Sequence, residues 1–330
     1  MGPSDLHRLL KPLSHYNHPD LLVGLQTGDD AAVFRMGGKA IIETVDFFAP
    51  VVDDPYNYGA IAAANAMSDV FAMGGEVLFA LNVAALPEDL PYDIASTILQ
   101  GGAEKVVEAG GVVVGGHTVV DREPKYGLCV TGIGDPSEIM TKDMASPGYL
   151  LVLTKPLGTG AITTAHKAGV VDEVHLQAAV ESMLALNRRA SQLLRKAGVR
   201  ACTDVTGFGL LGHAAEMAEA SGVLLRIDSE KVPILPGAIG YAKSGTLPGG
   251  LGRNRAYLLE KREDGRPRAR VAADVSAEIE DLLMDPQTSG GLLAAVPREK
   301  LQSLLDSFDE EGLHYWIVGE VLPGSGVEVV

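Results

Sequence analysis

Apolar and polar positions along the first part of the chain alternate between the period of a strand and the period of a helix. The pattern predicts strands at residues 40–45, 77–85, 111–114 and 126–133, and helices at residues 58–73 and 92–109. The helix at 58–73 is rich in alanine, so another backbone can approach it closely.

The second part opens with an apolar strand at residues 149–153. It then favours helices near 160–167, 175–197, 209–220, 277–283 and 300–308, and strands at 224–227, 292–295 and 315–318. Between the two parts, residues 135–147 contain two prolines and several small polar residues, which is typical of a linker. Several strand pairs have no crossover helix between them, which favours antiparallel meanders over one doubly wound sheet. The pattern therefore predicts two α/β domains, at residues 1–134 and 148–330, each a mixed sheet covered by helices.

Charge and composition exclude several classes of protein. The chain has 27 Lys and Arg against 43 Asp and Glu, a net charge of −16, so it lacks the basic footprint of a nucleic-acid-binding protein. No apolar run approaches the roughly 20 residues of a membrane span, and the start of the sequence has no apolar signal region. Cys129 and Cys202 are too few for a disulfide framework. We therefore expect a cytoplasmic protein with no nucleic-acid or membrane partner.

Single aspartates recur at turns and element ends, each beside small or apolar residues. They are Asp29, Asp30, Asp46, Asp69 and Asp204. An unpaired carboxylate is costly to bury, and a hard cation is the usual way to offset that cost. Mg²⁺ is commonly held by a few carboxylates together with phosphate oxygens. The pattern predicts metal-dependent phosphate chemistry, although an i, i+4 pair such as Asn65 and Asp69, taken alone, is more often a polar pair at a helix N-terminus or on an exposed face.

Four glycine-rich or polar segments leave alternatives open. The stretch from Gly207 to Gly212 matches G-x-G-x-x-G, but Asp204 just before it would repel a pyrophosphate, which disfavours a Rossmann site. Residues 115–118 either let a ligand approach the backbone or form a tight turn. Residues 285–291 form a polar turn that alone is more often structural. Residues 253–255 follow a Gly-rich stretch and either hold a phosphate or lie in a solvated loop. Because no Walker sequence is present, phosphates must be gripped mainly through metals.

Taken in order, these segments resemble the selenophosphate synthetases (selenide, water dikinases), from Leu21 to the C-terminus. The motifs that carry the resemblance include Asp29-Asp30-Ala31-Ala32-Val33, Thr44-Val45-Asp46-Phe47-Phe48, Asn65-Ala66-Met67-Ser68-Asp69, Gly115-Gly116-His117-Thr118, Asp204-Val205-Thr206-Gly207-Phe208-Gly209 and Asp285-Pro286-Gln287-Thr288-Ser289-Gly290-Gly291. The superfamily also includes aminoimidazole ribonucleotide synthetase, thiamine-monophosphate kinase and a hydrogenase maturation protein.

The resemblance implies the two-domain aminoimidazole ribonucleotide synthetase-like fold, paired into a homodimer with ATP near the interface. The implied reaction converts ATP, selenide and water to selenophosphate, AMP and phosphate, with Mg²⁺ required and K⁺ as a further requirement. Asp30, Asp69 and Asp204 match the family's magnesium ligands. The positions that match its ATP contacts are Thr27, Gly28, Asp29, Asp46, Asp69, Gly116, His117 and Thr118.

The family also carries a reactive Cys or selenocysteine three residues before a lysine, on a mobile loop just ahead of a segment like residues 1–6. The sequence starts at that segment, and neither Cys129 nor Cys202 fits a mobile loop. We therefore expect the nucleophile and the lysine upstream of Met1, and little selenophosphate synthesis by these 330 residues alone. Two alternatives stay open: a non-catalytic ATP- and Mg²⁺-binding homodimeric paralogue, and a small-molecule kinase of the same superfamily.

Overall fold

The computed structural model describes residues 9–13, 15–262 and 265–330, and the segment at residues 1–6 lies outside them. The first domain is built on a six-stranded sheet of order β1-β2-β3-β6-β4-β5, in which only β4 and β5 are parallel. Its strands are β1 Leu21–Val23, β2 Ala32–Met36, β3 Lys39–Phe48, β4 Glu76–Leu86, β5 Val112–Val120 and β6 Lys125–Gly134. Two helices, α1 Pro55–Ala72 and α2 Tyr92–Glu108, cover one face of this sheet.

The second domain has a seven-stranded mixed sheet of order β10-β13-β9-β12-β7-β11-β8. Its strands are β7 Leu150–Leu153, β8 Ala201–Asp204, β9 Leu224–Ile227, β10 Ala269–Val271, β11 Leu292–Val296, β12 Trp316–Leu322 and β13 Gly326–Val329. Its helices are α3 Thr159–Lys167, α4 Glu173–Leu184, α5 Arg188–Lys196, α6 Gly209–Ser221, α7 Ala238–Lys243, α8 Gly250–Leu259, α9 Ala277–Met284 and α10 Arg298–Glu310. The predicted fold class, two mixed sheets covered by helices, is confirmed. Among the described residues no helix is long and apolar enough to cross a bilayer.

Helix α1 is buried on nearly every side, which explains its alanines. It packs on β3 and β6 of its own sheet, against α2, and against α4, α5 and β8 of the second domain. The crossing with α2 is so close that a Cβ at Gly59 would lie 1.9 Å from the carbonyl oxygen of Ile98. A Cβ at Gly101 would lie 2.1 Å from the carbonyl oxygen of Tyr56. Glycine is therefore required on both sides of this crossing.

The single helix predicted at 175–197 is wrong, because two helices occupy this range. Helix α4 ends where Ala185 turns to an extended conformation, and α5 begins after Asn187. The carbonyl oxygen of Ala185 accepts a hydrogen bond from the side chain of Lys155. The side-chain amide of Asn187 donates to the hydroxyl of Ser68 and to the carbonyl oxygen of Gly290. These long-range bonds override a local pattern that would let one helix continue.

Two further sequence predictions need correction. Strand β5 runs on to Val120, so residues 115–118 lie inside a strand instead of in a turn after it, because β4 pairs with β5 over its whole length. Residues 253–255 lie in α8 and not in a loop. Asn254 is buried there, and its amide donates to the carbonyl oxygens of Gly207 and Met284, both at 3.0 Å.

The segment predicted as a linker contacts both domains. The amide of Met140 donates to the carbonyl oxygen of Met73 at 3.1 Å, and that of Thr141 donates to Arg200 at 2.9 Å. Lys142–Met144 form a short 3₁₀ helix against α6. The segment thereby carries the buried side chain of Lys142 to the junction between the two domains.

Candidate metal centre

Four aspartates converge where the two domains meet. Asp30 precedes β2, Asp46 lies in β3, Asp69 lies in the last turn of α1, and Asp204 ends β8 of the second domain. Asp30 and Asp46 thus lie on the two arms of one β-hairpin, Asp30 just before β2 and Asp46 within β3. The last turn of a helix is an unfavourable place for a carboxylate, because the helix dipole is negative there. Bringing these charges together therefore costs free energy, which a bound proton or cation can offset.

The pKa values of these carboxyl groups are raised because the groups are buried and lie close to one another. Burial raises the pKa of Asp69 well above its usual range, and the charges of Asp204, Asp30 and Asp46 raise it further. Burial, followed by the charge of Asp30, raises the pKa of Asp204 to about 6. The pKa of Asp46 is raised by burial as well, although a hydrogen bond from Asn65 opposes the shift. Protons or cations are thus held strongly at this junction.

One oxygen of Asp30 is fully engaged and the other is not. Its Oδ1 lies 2.8 Å from Nζ of Lys142 and accepts a hydrogen bond from the hydroxyl of Thr203 at 2.9 Å. Its Oδ2 is buried without a hydrogen-bond partner, and so is Oδ2 of Asp204. Buried polar atoms almost always have partners, so two unpartnered carboxylate oxygens at one junction indicate a place for a ligand.

The donor set fits a hard cation. Carboxylate oxygens are the groups that Mg²⁺ prefers, and it usually binds one or two of them together with waters and phosphate oxygens. Within the described ranges, no three His, Cys, Asp or Glu side chains form a preassembled ligand set. The carboxylates are therefore close neighbours instead of a closed cage, which suits a cation that phosphate oxygens help to hold. Asp30, Asp69 and Asp204 are the residues that would hold it.

The residues expected to contact the nucleotide divide into two groups. Gly28 and Asp29 lie beside the acidic residues, because both contact Lys142. The carbonyl oxygen of Gly28 is 3.3 Å from Nζ of Lys142, and Oδ2 of Asp29 accepts a hydrogen bond from the backbone amide of Lys142 at 3.1 Å. Burial and then Asp30 raise the pKa of Asp29 to about 7. Thr27 lies in the same turn, with its hydroxyl bonded to Gly24. All of these except Thr27 contact the segment that carries Lys142.

Gly116, His117 and Thr118 are not brought to the acidic residues within one chain. They lie on exposed β5 at the edge of the first sheet, and the register runs from Asp46 through Leu128 and Asn82 to Gly116. Three strand spacings, roughly 14 Å, separate the two ends of that row. Side chains alternate along a strand, so His117 points to the face opposite that of Asp46.

The structure also decides two of the open motifs. β8, which precedes the G-x-G-x-x-G stretch, lies at the edge of its sheet. It pairs with the antiparallel β11 and makes one further bridge, from Ala201 to Thr141, so the Rossmann alternative is excluded. In the 285–291 segment, Oδ2 of Asp285 accepts from the amide of Ala161, and Oε1 of Gln287 accepts from the amides of Gly158 and Thr159. This half of the segment caps the start of α3 and is structural.

Sequence reasoning missed three residues that surround the carboxylates. Lys142 was hidden in a segment of linker composition, and Thr203 had no distinguishing pattern. Lys155 follows the apolar strand β7, and burial lowers its pKa to about 7, although the charge of Asp204 opposes the shift. A lone lysine two residues after four consecutive apolar residues was the one available signal.

The raised pKa of Asp204 predicts the pH dependence of stability without metal. Its pKa is about 6 in the folded protein against 3.8 ordinarily, so the folded state binds this proton more tightly than the unfolded chain. Its contribution to the free energy of unfolding therefore decreases as the pH rises from about 4 to about 6. We expect Asp204→Asn to flatten this slope and to melt at a higher temperature than the wild type at neutral pH. Urea unfolding in EDTA across this range checks the slope.

The matched control is Asp274→Asn, because Asp274 is an exposed aspartate. That variant should keep the wild-type slope. An unchanged slope in Asp204→Asn would contradict the buried repulsion.

Known proteins match the chain over nearly its whole length. The AIR synthase related protein families cover it in two parts, the N-terminal domain at residues 28–134 and the C-terminal domain at residues 146–330. A selenide, water dikinase of Caldanaerobacter subterraneus is 50% identical over 305 residues, which are 92% of this chain and 86% of that protein. One from Carboxydothermus hydrogenoformans is 45% identical over 332 residues, 100% of this chain and 94% of that protein.

The same architecture recurs in solved structures. That of AaThiL complexed with AMPPCP and TMP has a TM-score of 0.73 at 22% identity, over 99% of this chain and 93% of that one. This likeness supports the fold alone. The sequence identities go further and confirm the resemblance found in the motifs: the chain belongs to the selenide, water dikinase family of AIR synthase related proteins.

Proposed function

We propose that the protein is a selenide, water dikinase, which converts ATP, selenide and water to selenophosphate, AMP and phosphate. The observation that carries this proposal is the identity of 44–50% with curated selenide, water dikinases along nearly the whole chain. The crowded carboxylates at the domain junction support it, because a triphosphate needs cations before it can approach so acidic a site.

In this proposal Asp30, Asp69 and Asp204 bind Mg²⁺, and Asp29 and Asp46 are the further carboxylates of the site. Bound Mg²⁺ would neutralise the phosphates and the charge that develops on them during transfer. Lys142 fixes the Asp30 carboxylate by its Oδ1, which leaves Oδ2 available, and this oxygen would bind the metal. Glu216, 3.0 Å from Lys142, balances the charge of the lysine and holds its orientation. The requirement for K⁺ is part of the same proposal, and activity in K⁺ compared with Na⁺ addresses it.

We further propose a homodimer formed through the uncovered face of the first sheet. This face carries apolar side chains that remain exposed in one chain: Val45, Phe47, Phe79 and Leu81, at 58, 48, 37 and 39%. A contiguous apolar surface on a central sheet is typical of an interface with another molecule, and a self-complementary face gives a two-fold dimer. His117 is on this face, so the dimer would bring residues 116–118 to the interface, where we place the nucleotide.

The proposed metal ligands predict a specific loss of binding. We expect Asp30→Asn, Asp69→Asn and Asp204→Asn each to weaken Mg²⁺-dependent ATP binding at least about tenfold, because each removes the charge of a proposed metal ligand. Each variant should remain folded, since it also removes buried repulsion. Calorimetric titration with ATP in excess Mg²⁺ measures the affinity, and Asp274→Asn is the control. Unchanged affinity in all three variants would refute the ligand assignment.

The proposed interface predicts the response to one charged side chain. We expect the wild type to be a dimer at micromolar concentration and Leu81→Lys to be a monomer, because the lysine would be buried in an apolar contact. Val174→Lys is the matched control, since Val174 is 69% exposed on α4 and away from this face. Light scattering gives the masses. A monomeric wild type, or a dimeric Leu81→Lys, would count against the interface.

The reaction itself is tested by the products of ATP turnover. Protein produced from its native gene should convert ATP to AMP, phosphate and selenophosphate when both Mg²⁺ and selenide are present, and should not do so without selenide. Phosphorus NMR distinguishes these products. Turnover to ADP that is independent of selenide would instead identify a small-molecule kinase, and ATP binding without turnover would identify a non-catalytic paralogue.

A further inference from the structure

The loop between α9 and β11 contains an unusual backbone conformation. Ser289 has φ of +48°, and among the described residues it is the one non-glycine with a positive φ. It is 1% exposed, and its hydroxyl has no hydrogen-bond partner. Strained residues persist when their surroundings over-determine them, and they cluster at functional sites. The backbone of Ser289 contacts Lys155 on one side and Asn65 on the other.

Lys155 holds this loop from one side. Its Nζ donates to the carbonyl oxygen of Ser289 at 2.8 Å and to that of Ala185 at 2.6 Å. The lysine is 7% exposed. The loop also packs tightly against the lysine backbone, since a Cβ at Gly291 would lie 2.4 Å from the amide nitrogen of Lys155. A buried ammonium is thus committed to two backbone carbonyl groups.

From its other side, the loop holds one of the carboxylates through α1. The amide of Ser289 donates to Oδ1 of Asn65 at 2.8 Å. The side-chain amide of Asn65 in turn donates to Oδ2 of Asp46. Since an amide side chain has one carbonyl oxygen and one NH₂ group, the bond from Ser289 fixes which end of Asn65 faces Asp46.

The next residue of the loop reaches a second carboxylate. The carbonyl oxygen of Gly290 accepts from Nδ2 of Asn187 at 2.8 Å, and the same nitrogen donates to Oγ of Ser68 at 2.8 Å. With that lone pair occupied, the hydroxyl proton of Ser68 is available to the nearby carboxylate of Asp204, whose pKa the hydroxyl lowers. Three contacts therefore connect the loop to Asp204, and two hydrogen bonds connect it to Asp46.

We propose that Lys155 is a positioning residue of the metal centre, which acts through the backbone of Ser289 and Gly290 on Asp46 and Asp204. The inference rests on the proposed function, because the site it serves is the one that would bind Mg²⁺ and ATP. Lys155 does not touch the reacting atoms. It fixes the loop from which the hydrogen bonds to Asn65 and Asn187 start, and these bonds orient two carboxylates whose charges both act on Asp69.

The test is Mg²⁺-dependent ATP binding by Lys155→Met, measured by calorimetry well below the melting temperature. Methionine fills the space but donates no hydrogen bond, so we expect the affinity to fall about 10- to 100-fold, the usual effect of losing a partner behind a metal ligand. Lys300→Met is the matched control, because Nζ of Lys300 also donates to a backbone carbonyl, that of Gly198 at 2.9 Å, away from this site. It should bind as the wild type does.

Two further variants separate the backbone from the Ser289 hydroxyl. Ser289→Ala keeps both backbone bonds and should bind as the wild type does. Asn187→Ala removes the hydrogen bonds from the side chain of residue 187 to Gly290 and Ser68 and should weaken binding. This variant tests the inference if Lys155→Met does not fold. Wild-type affinity in Lys155→Met or in Asn187→Ala overturns the inference and leaves the proposed function intact.

The remaining outcomes are equally decisive. A loss in Ser289→Ala as large as that in Lys155→Met would assign the role to the hydroxyl and overturn positioning through the backbone. A wild type with no Mg²⁺-dependent ATP binding would overturn both this inference and the proposed metal site.

Discussion

Mutual repulsion between carboxylates buried at the domain junction is the constraint on which the rest of the structure depends. Asp69 is raised in pKa by burial and by Asp204, Asp30 and Asp46, which come from both domains. One buried cation, Lys142, offsets part of this charge by its contact with Asp30. One oxygen of Asp30 and one of Asp204 have no hydrogen-bond partner, so the negative charge of these carboxylates is only partly offset. In our proposal a bound cation completes this junction and adds to its stability.

The architecture follows from bringing those charges together. Helix α1 carries Asp69, Ser68 and Asn65 into the space between the two sheets, and a helix buried on nearly all sides must have small side chains. The segment 135–147 places Lys142 opposite Asp30, which is why this part of the chain contacts both domains. The loop at residues 285–291 connects the second domain to α1. Asp285 and Gln287 cap α3, and the backbone amide of Ser289 donates to the side chain of Asn65 on α1.

The sequence predicted most elements and the acidic residues for clear physical reasons. Strand β9 was predicted with the bounds that the structure gives, and α1 and α2 within a few residues, because periodicity reports which face of an element is buried. Aspartates beside apolar residues indicated the acidic residues at the domain junction, because a buried carboxylate needs a partner. What the sequence did not predict depends on long-range contacts. The break after α4 is made by Lys155 and Asn187, and the role of Lys142 depends on residues more than a hundred positions away along the chain.

The central claim is that the free oxygens of Asp30 and Asp204 hold a divalent cation. Crystals grown with Mn²⁺ and a non-hydrolysable ATP analogue test it most directly, because Mn²⁺ can stand in for Mg²⁺ and its anomalous scattering locates the ion. The account predicts a metal peak about 2.1 Å from Oδ2 of both aspartates, with nucleotide phosphate oxygens completing its coordination. A nucleotide whose metal ions are bound elsewhere, with both oxygens still unpartnered, would contradict it.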